Sequence, residues 1–181
     1  MERKNLWAPW RINYIQGLDK PGDCFICRNR DNPRDDDKNL VLWRSGNSIV
    51  ILNRYPYNNG HILVMPKRHV GAMDRLNDRE LFELFDVVRL ACRALDRVMQ
   101  PHGYNIGINL GDVAGAGVPD HLHVHIVPRW NGDTNFMPVL GDVKVIPEHV
   151  LETRDKLAQA MSALAPKKRT GKSKGQGPRK K

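Results

Sequence analysis

Between His121 and Val127, three histidines alternate with Leu122, Val124 and Ile126. Few patterns restrict a fold so tightly. Alternation of period two is that of a strand with one buried face. Same-face residues on a strand lie about 6.5–7 Å apart, which predicts three imidazoles in a row opposite the aliphatic set. Core packing alone does not select such a row, because every buried ring needs a hydrogen-bond partner. Two chemistries use it. Imidazoles spaced His-x-His can ligate a catalytic zinc, or one imidazole can attack phosphorus while its neighbours hold the phosphate. The preceding segment, Gly111-Asp112-Val113-Ala114-Gly115-Ala116-Gly117, is suited to presenting backbone N–H groups to an anion and favours the second.

The rest of the chain supplies a frame for that strand. Residues 40–43 and 48–52 read as an antiparallel pair turning at Ser45-Gly46-Asn47, and 61–66 as a further strand after the loop 53–60. Residues 28–39 read as a polar loop. Asn77 followed by Glu80 is the spacing of a capping box, and Leu81, Leu84, Phe85, Val88, Ala91, Cys92 and Leu95 recur at helical spacing. They predict one long helix over 78–99, with Cys92 on its apolar face. A strand at 104–109, a loop at 110–120, the histidine strand at 121–127 and a last helix at 147–164 follow. The order predicts an α+β domain: an antiparallel sheet, one long helix and a C-terminal helix. His102 and His149 stand apart from the other histidines and read as exposed.

The net charge of +9 belongs mostly to one place. The last sixteen residues, PKKRTGKSKGQGPRKK, hold eight basic side chains and no acidic one, leaving a body near +1. The expected organisation is therefore an aromatic arm at 1–20 (Trp7, Trp10, Tyr14), a domain at 21–165, and a disordered basic tail at 166–181. The arm is expected to pack on the domain or on a second subunit. The tail is suited to nonspecific, salt-sensitive contact with RNA or another polyanion. No apolar run reaches the roughly 18 residues of a membrane span, and the first residues do not resemble a signal peptide. Three cysteines, two of them in Cys24-x-x-Cys27, fit a reducing cytoplasm better than a disulfide framework.

His121-Leu-His123-Val-His125-Ile-Val resembles His-φ-His-φ-His-φ-φ, the signature of the histidine triad (HIT) family of nucleotide-binding hydrolases and transferases. Upstream, Asn53-Arg54-Tyr55-Pro56 and Gly60-His61-Ile62-Leu63-Val64-Met65-Pro66 resemble that family's Asn-x-x-Pro…Gly-His-x-Leu-Val-x-Pro segment. Leu6-Trp7-Ala8-Pro9-Trp10-Arg11, Tyr55-Pro56-Tyr57-Asn58 and the stretch Pro128-Arg129-Trp130-Asn131-Gly132-Asp133-Thr134-Asn135-Phe136 are similar to its bacterial diadenosine tetraphosphate phosphorylase-like branch. The resemblance implies a HIT-like fold, a homodimer and cleavage of a phosphoanhydride or phosphoramidate bond in a purine nucleotide, diadenosine polyphosphates above all. It implies that His123 forms a nucleotidyl-imidazole intermediate while His125 and His61 contact the phosphate or orient the nucleophile. It also implies that Asn53 binds ribose, and that Asn109 and the Gly115, Gly117 and Val118 stretch bind phosphate. Where many relatives carry Gly-Gln-Ser/Thr or Gly-Gly-Ser, Gly115-Ala116-Gly117-Val118 offers no side-chain donor. That departure leaves the leaving group to backbone donors and counts against phosphorolysis.

Two thiolates and two imidazoles complete a closed structural zinc site. In some histidine triad proteins and in galactose-1-phosphate uridylyltransferases such a set includes the triad's first histidine. The resemblance thus implies structural zinc on Cys24, Cys27, His69 and His121, with no organic cofactor. The bare alternative is a pair of reduced thiols with His69 on the surface. Two other functions fit the residues less closely: a zinc-dependent hydrolase using the triad as ligands, and a nucleotide- or RNA-binding module working through the basic tail.

Overall fold

Five strands form one antiparallel sheet: β1 (Val41–Arg44), β2 (Ser48–Leu52), β3 (Ile62–Pro66), β4 (Gly103–Ile108) and β5 (Val124–Arg129), in the order β1-β2-β3-β5-β4. The molecule is described by a computed structural model covering residues 24–134 and 145–166. The expected arm at 1–20, the end of the Trp130–Phe136 motif and nearly all of the expected tail lie outside the described residues. β2 and β3 are almost wholly aliphatic and buried at every position, as strands covered on both faces must be. Among the described residues three α-helices accompany the sheet: α1 (Phe25–Asp31), α2 (Asp78–Met99) and α3 (Val150–Leu164). α2 and α3 pack against each other, α2 also against β2, β3 and β5, and α3 against β1. Leu84, Ala91 and Leu95 of α2 and Leu157 and Met161 of α3 join Ile26, Val50, Val64 and Ile126 in one core.

α2 starts where its capping box predicts. Asn77 Oδ1 accepts the Glu80 N–H at 2.9 Å, and the Asn77 N–H donates to Glu80 Oε2 at 3.1 Å. Glu80 also accepts two bonds from the Arg68 guanidinium, at 2.8 and 2.7 Å. The helix start thereby fixes the loop that carries His69.

Four expectations are corrected in detail. Residues 25–31, read partly as loop, form α1. Two turns are too few to show a periodic face, and the helix relies on tertiary support. Ile26 is buried, and the Arg44 guanidinium donates to the end carbonyls of Asn29 and Arg30 at 2.6 and 3.0 Å. The histidine strand is shifted: β5 runs from Val124 to Arg129, not 121–127. The Leu122 N–H goes to the Val70 carbonyl (2.7 Å) and the His121 N–H to that of Val118 (3.2 Å), so His121 to His123 lead into the sheet without joining its ladder. At the other end β5 continues through Pro128, because β3 pairs no further than Ile126 and the missing N–H falls on that vacated side. The last helix begins at Val150 rather than 147, where the His149 ring caps it by accepting the Leu151 N–H at 3.3 Å.

Gly60 sits immediately before His61 with φ +75°, and a Cβ there would lie 2.6 Å from Met99 Sδ and 3.2 Å from a Leu95 methyl. Alanine in this left-handed conformation costs about 1–2 kcal/mol. Gly60→Ala should therefore lower the melting temperature by roughly 2–8 °C. A variant that melts like the wild type would count against this reading.

Candidate active site and metal centre

Five of the seven histidines gather in two clusters joined through one residue. The first cluster comprises His61, His123 and His125. His61 stands at the entrance to β3, directly after the loop 53–60. Its Nδ1 accepts the Tyr57 backbone N–H at 3.1 Å and lies 3.1 Å from Asn53 Nδ2. Both partners are donors, so a neutral His61 carries its hydrogen on Nε2. That nitrogen is 3.0 Å from His125 Nδ1 and donates to it. Neutral His125 in turn carries its hydrogen on Nε2, turned away from His61. The His123 ring lies 4.9 Å from that of His125, centroid to centroid. Its Nδ1 donates to the His121 carbonyl at 2.9 Å, which leaves the Nε2 lone pair uncommitted to the backbone. Burial holds the His123 imidazole below its ordinary range, favouring the neutral, nucleophilic form.

Around these rings the sheet is apolar on one side and small on the other. Ile51, Leu63, His125 and Gly107 oppose one another across β2, β3, β5 and β4, so they share one face. Ile51 and Leu63 make a shelf beside His125, while a Cβ at Gly107 would meet nothing within 4 Å. Asn109 closes the end of β4, its Nδ2 donating to the Gly115 carbonyl at 3.3 Å. The loop beyond is a short turn, Asp112–Ala114, flanked by Gly111 at φ +81° and Gly115 at φ +82°. Its own carbonyls take the N–H groups of Ala114, Gly115 and Ala116. Gly115 thus spends its amide inside the turn. Val118 packs against the core.

His121 belongs to the second cluster. Its Nε2 donates to the Pro66 carbonyl at 2.8 Å, and its Nδ1 faces Cys24 Sγ at 3.3 Å and Cys27 Sγ at 3.7 Å. His69 Nδ1 is 3.3 Å from Cys27 Sγ, and the four ligand atoms lie within 4.8 Å of one another. Zinc bonds of about 2.3 Å to sulfur and about 2.0 Å to nitrogen set neighbouring donors roughly 3.5 Å apart in a tetrahedron. The cluster fits that shape. Its outer bond fits too, since the Pro66 carbonyl fixes the tautomer that points a lone pair at the thiols. Burial and Cys24 push the Cys27 thiol up to about 11, a cost that a divalent cation reverses by binding thiolate. Among the described residues this is the group of three or more such side chains that could hold a metal; His123 and His125 are not in it.

A model of the HIT domain matches residues 34–132. This chain belongs to the HIT family. The AP-4-A phosphorylase of Mycobacterium tuberculosis is 40% identical to it over 161 residues, which are 86% of this chain and 83% of that protein. The adenosine 5'-monophosphoramidase hnt1 of Schizosaccharomyces pombe is 34% identical over 127 residues, covering 70% and 90%. A Zn-bound histidine triad family protein from Mycobacterium smegmatis superposes with a TM-score of 0.63 at 26% identity, over 78% of this chain and 95% of that one. As a HIT protein the chain is a nucleotide hydrolase or transferase with the expected antiparallel sheet. No helix among its described residues is long and apolar enough to cross a membrane.

The HIT protein brings together His61, His123 and His125, the three expected catalytic side chains, with Asn53, expected to bind ribose, and it brings together all four expected metal ligands. It leaves His102 and His149 outside both. Sequence reasoning missed Tyr57, whose signal was its place in the Tyr55-Pro56-Tyr57-Asn58 run, and the carbonyls of Pro66 and His121, which carry no side-chain signal. One consequence is a pH dependence. With His123 as the expected nucleophile, and its pKa lowered by burial, kcat/KM should stay level as pH falls past the ordinary imidazole value of about 6.5 and drop only at more acidic pH. His121, pushed down to about 4 chiefly by burial, resists a proton that the unfolded chain accepts. Metal-free protein should therefore lose stability as pH falls from about 6.5 toward 4. A pH–rate profile and acid melts check both signs.

Proposed function

We propose that this HIT protein cleaves dinucleoside polyphosphates of the diadenosine tetraphosphate kind through a nucleotidyl-His123 intermediate. The observation that carries the reading is the 2.9 Å bond from His123 Nδ1 to the His121 carbonyl, which puts the lone pair on Nε2 in a ring that burial keeps neutral. Nε2 attacks the α-phosphorus, the bridging P–O bond breaks, and the oligophosphate leaves with the electron pair. Water, giving its proton to solvent, or inorganic phosphate then attacks the same phosphorus, breaks the P–N bond and releases His123 with its lone pair. His125, held as the Nε2–H tautomer by His61, donates to the phosphate. The Ile51–Leu63 shelf receives the base, and Asn53 the ribose. Asn109 and the amides of Gly117 and Val118 hold the phosphate chain, with Gly115 supporting the turn. Support for the substrate class comes from the M. tuberculosis relative named AP-4-A phosphorylase.

Zinc on Cys24, Cys27, His69 and His121 would be structural, since it leaves no ligand position open. It would supply no step, only rigidity beneath His123. The reading of the triad itself as a metal site finds no support among the described residues, because the group able to hold a metal takes only His121 of the three, together with Cys24, Cys27 and His69. A role of the basic tail in RNA contact falls outside the described residues. Among the described residues β4 pairs with β5 alone and exposes Ile106 at 47%, an edge suited to a second copy of the chain. Sedimentation should accordingly give twice the 20.7 kDa chain mass, and a monomer would refute the dimer. The reduced thiols suit a cytoplasmic enzyme, which cell fractionation checks.

The deciding assay offers purified protein diadenosine tetraphosphate with and without inorganic phosphate. AMP with ATP means that water is the acceptor, and ADP with ATP means phosphorolysis. No cleavage under either condition overturns the substrate assignment.

A further inference from the structure

We propose that Tyr57 is a positioning residue for the His61–His125 pair: its amide sets the tautomer and its ring holds both imidazole planes. The inference rests on the nucleotidyl-transfer reading for its consequence, and on geometry alone for its content.

The chain of donors has a fixed end. A backbone N–H cannot be an acceptor and does not give up its proton, so the 3.1 Å bond from Tyr57 N to His61 Nδ1 admits one polarity. His61 Nε2 must then be the donor toward His125 Nδ1 at 3.0 Å. His61 is thus a static prop rather than a carrier: it cannot pass a proton onward through a nitrogen already occupied by incoming hydrogen bonds. What it does is hold the hydrogen of His125 on Nε2.

The same residue supplies the packing. The Tyr57 ring lies 4.7 Å from the His61 ring at 32°, and 5.9 Å from the His125 ring at 16°, nearly parallel to it. One aromatic plate thus covers two imidazoles whose own centroids are 5.2 Å apart. Offset stacking of this kind resists rotation of either ring.

The plate itself is clamped on both sides. Pro56 fixes the backbone just before it. Just after it, buried Asn58 donates through Nδ2 to the Pro128 carbonyl at 3.0 Å and to Asp133 Oδ2 at 2.9 Å. The Asn58 carbonyl accepts the His61 N–H at 3.1 Å, closing the turn. Asp133 is in turn held by Arg129 Nε at 2.6 Å. The loop 53–60 is therefore tied to the far end of β5, the strand that carries His125.

The test uses the full chain and two readouts. Long-range proton–nitrogen NMR of nucleotide-free protein should place the His125 hydrogen on Nε2 in the wild type. Tyr57→Ala keeps the backbone amide and should keep the same tautomer, but the His61 and His125 ring signals should broaden once the plate is gone. Its kcat should fall about 10–100-fold, as when an outer-shell support is removed, with KM changed less than about threefold. Tyr57→Phe, which keeps the plate, should restore most of the rate. A wild-type spectrum with the hydrogen on His125 Nδ1 overturns the proposal. So does Tyr57→Ala at the wild-type rate, a loss confined to KM, or Tyr57→Phe as slow as Tyr57→Ala. Should Tyr57→Ala melt too low to assay, Tyr57→Leu keeps the volume without the stacking face and should show the same broadened ring signals and slowed kcat. If the wild type cleaves no nucleotide, the functional reading fails by itself, while the spectra still decide what Tyr57 does.

Discussion

His123→Asn should stop turnover and leave the fold standing. Asparagine keeps what the ring does for structure, because its side-chain N–H can replace Nδ1–H as the donor to the His121 carbonyl, 2.9 Å away in the wild type. It removes what the ring does for chemistry, the Nε2 lone pair. Loss of the nucleophile in a covalent mechanism costs on the order of 10⁴-fold in kcat or more. The melting temperature should move by no more than about 4 °C, the scale of a loss near 1 kcal/mol in a chain of this size. Rapid quench of the wild type on a slow substrate should trap a nucleotidyl group on residue 123, and the variant should trap none. A variant within tenfold of the wild type, or an adduct on another residue, would sink the covalent assignment.

How much of this was legible before the fold was seen depends on the range of the interaction. The alternation His121-Leu-His-Val-His and the Asn77–Glu80 box are local patterns, and both led to the right elements. α2 even has the predicted limits. The β5 boundaries were missed at both ends because the reasons are nonlocal: Val70 captures the Leu122 amide, and β3 ends opposite Ile126. α1 was missed because its last carbonyls are satisfied by Arg44, fourteen or more residues away in sequence. At the site the side chains were nameable in advance, since their types carry the chemistry. Their tautomers were not, since those are set by backbone groups of Tyr57, Pro66 and His121. Spacing identifies which imidazoles meet, and only the fold decides which nitrogen of each faces its neighbour.

Cys24→Ser should separate the two clusters. Cys24 and Cys27 bracket the start of α1, and with His69 and His121 they tie that helix to the segment leading into β5. A serine hydroxyl stays protonated and is a poor zinc ligand, so the variant should lose the metal that the wild type is expected to carry at one per chain. Loss of a structural metal belongs among the large single-site effects, about 4 kcal/mol, or roughly 8–16 °C in melting temperature for a chain of this length. The wild type treated with a chelator should lose as much, and added zinc should restore the wild type but not the variant. Activity should fall too, by a different route from His123→Asn. His121 is held at Nδ1 by the cluster and at Nε2 by Pro66, and its carbonyl orients His123. Releasing one side loosens the nucleophile without removing it, so slow turnover and the adduct on His123 should persist. His123→Asn should conversely keep its zinc. If zinc instead left with His123 and stayed in Cys24→Ser, the triad would be the metal site, and the division of labour at His121 would be wrong.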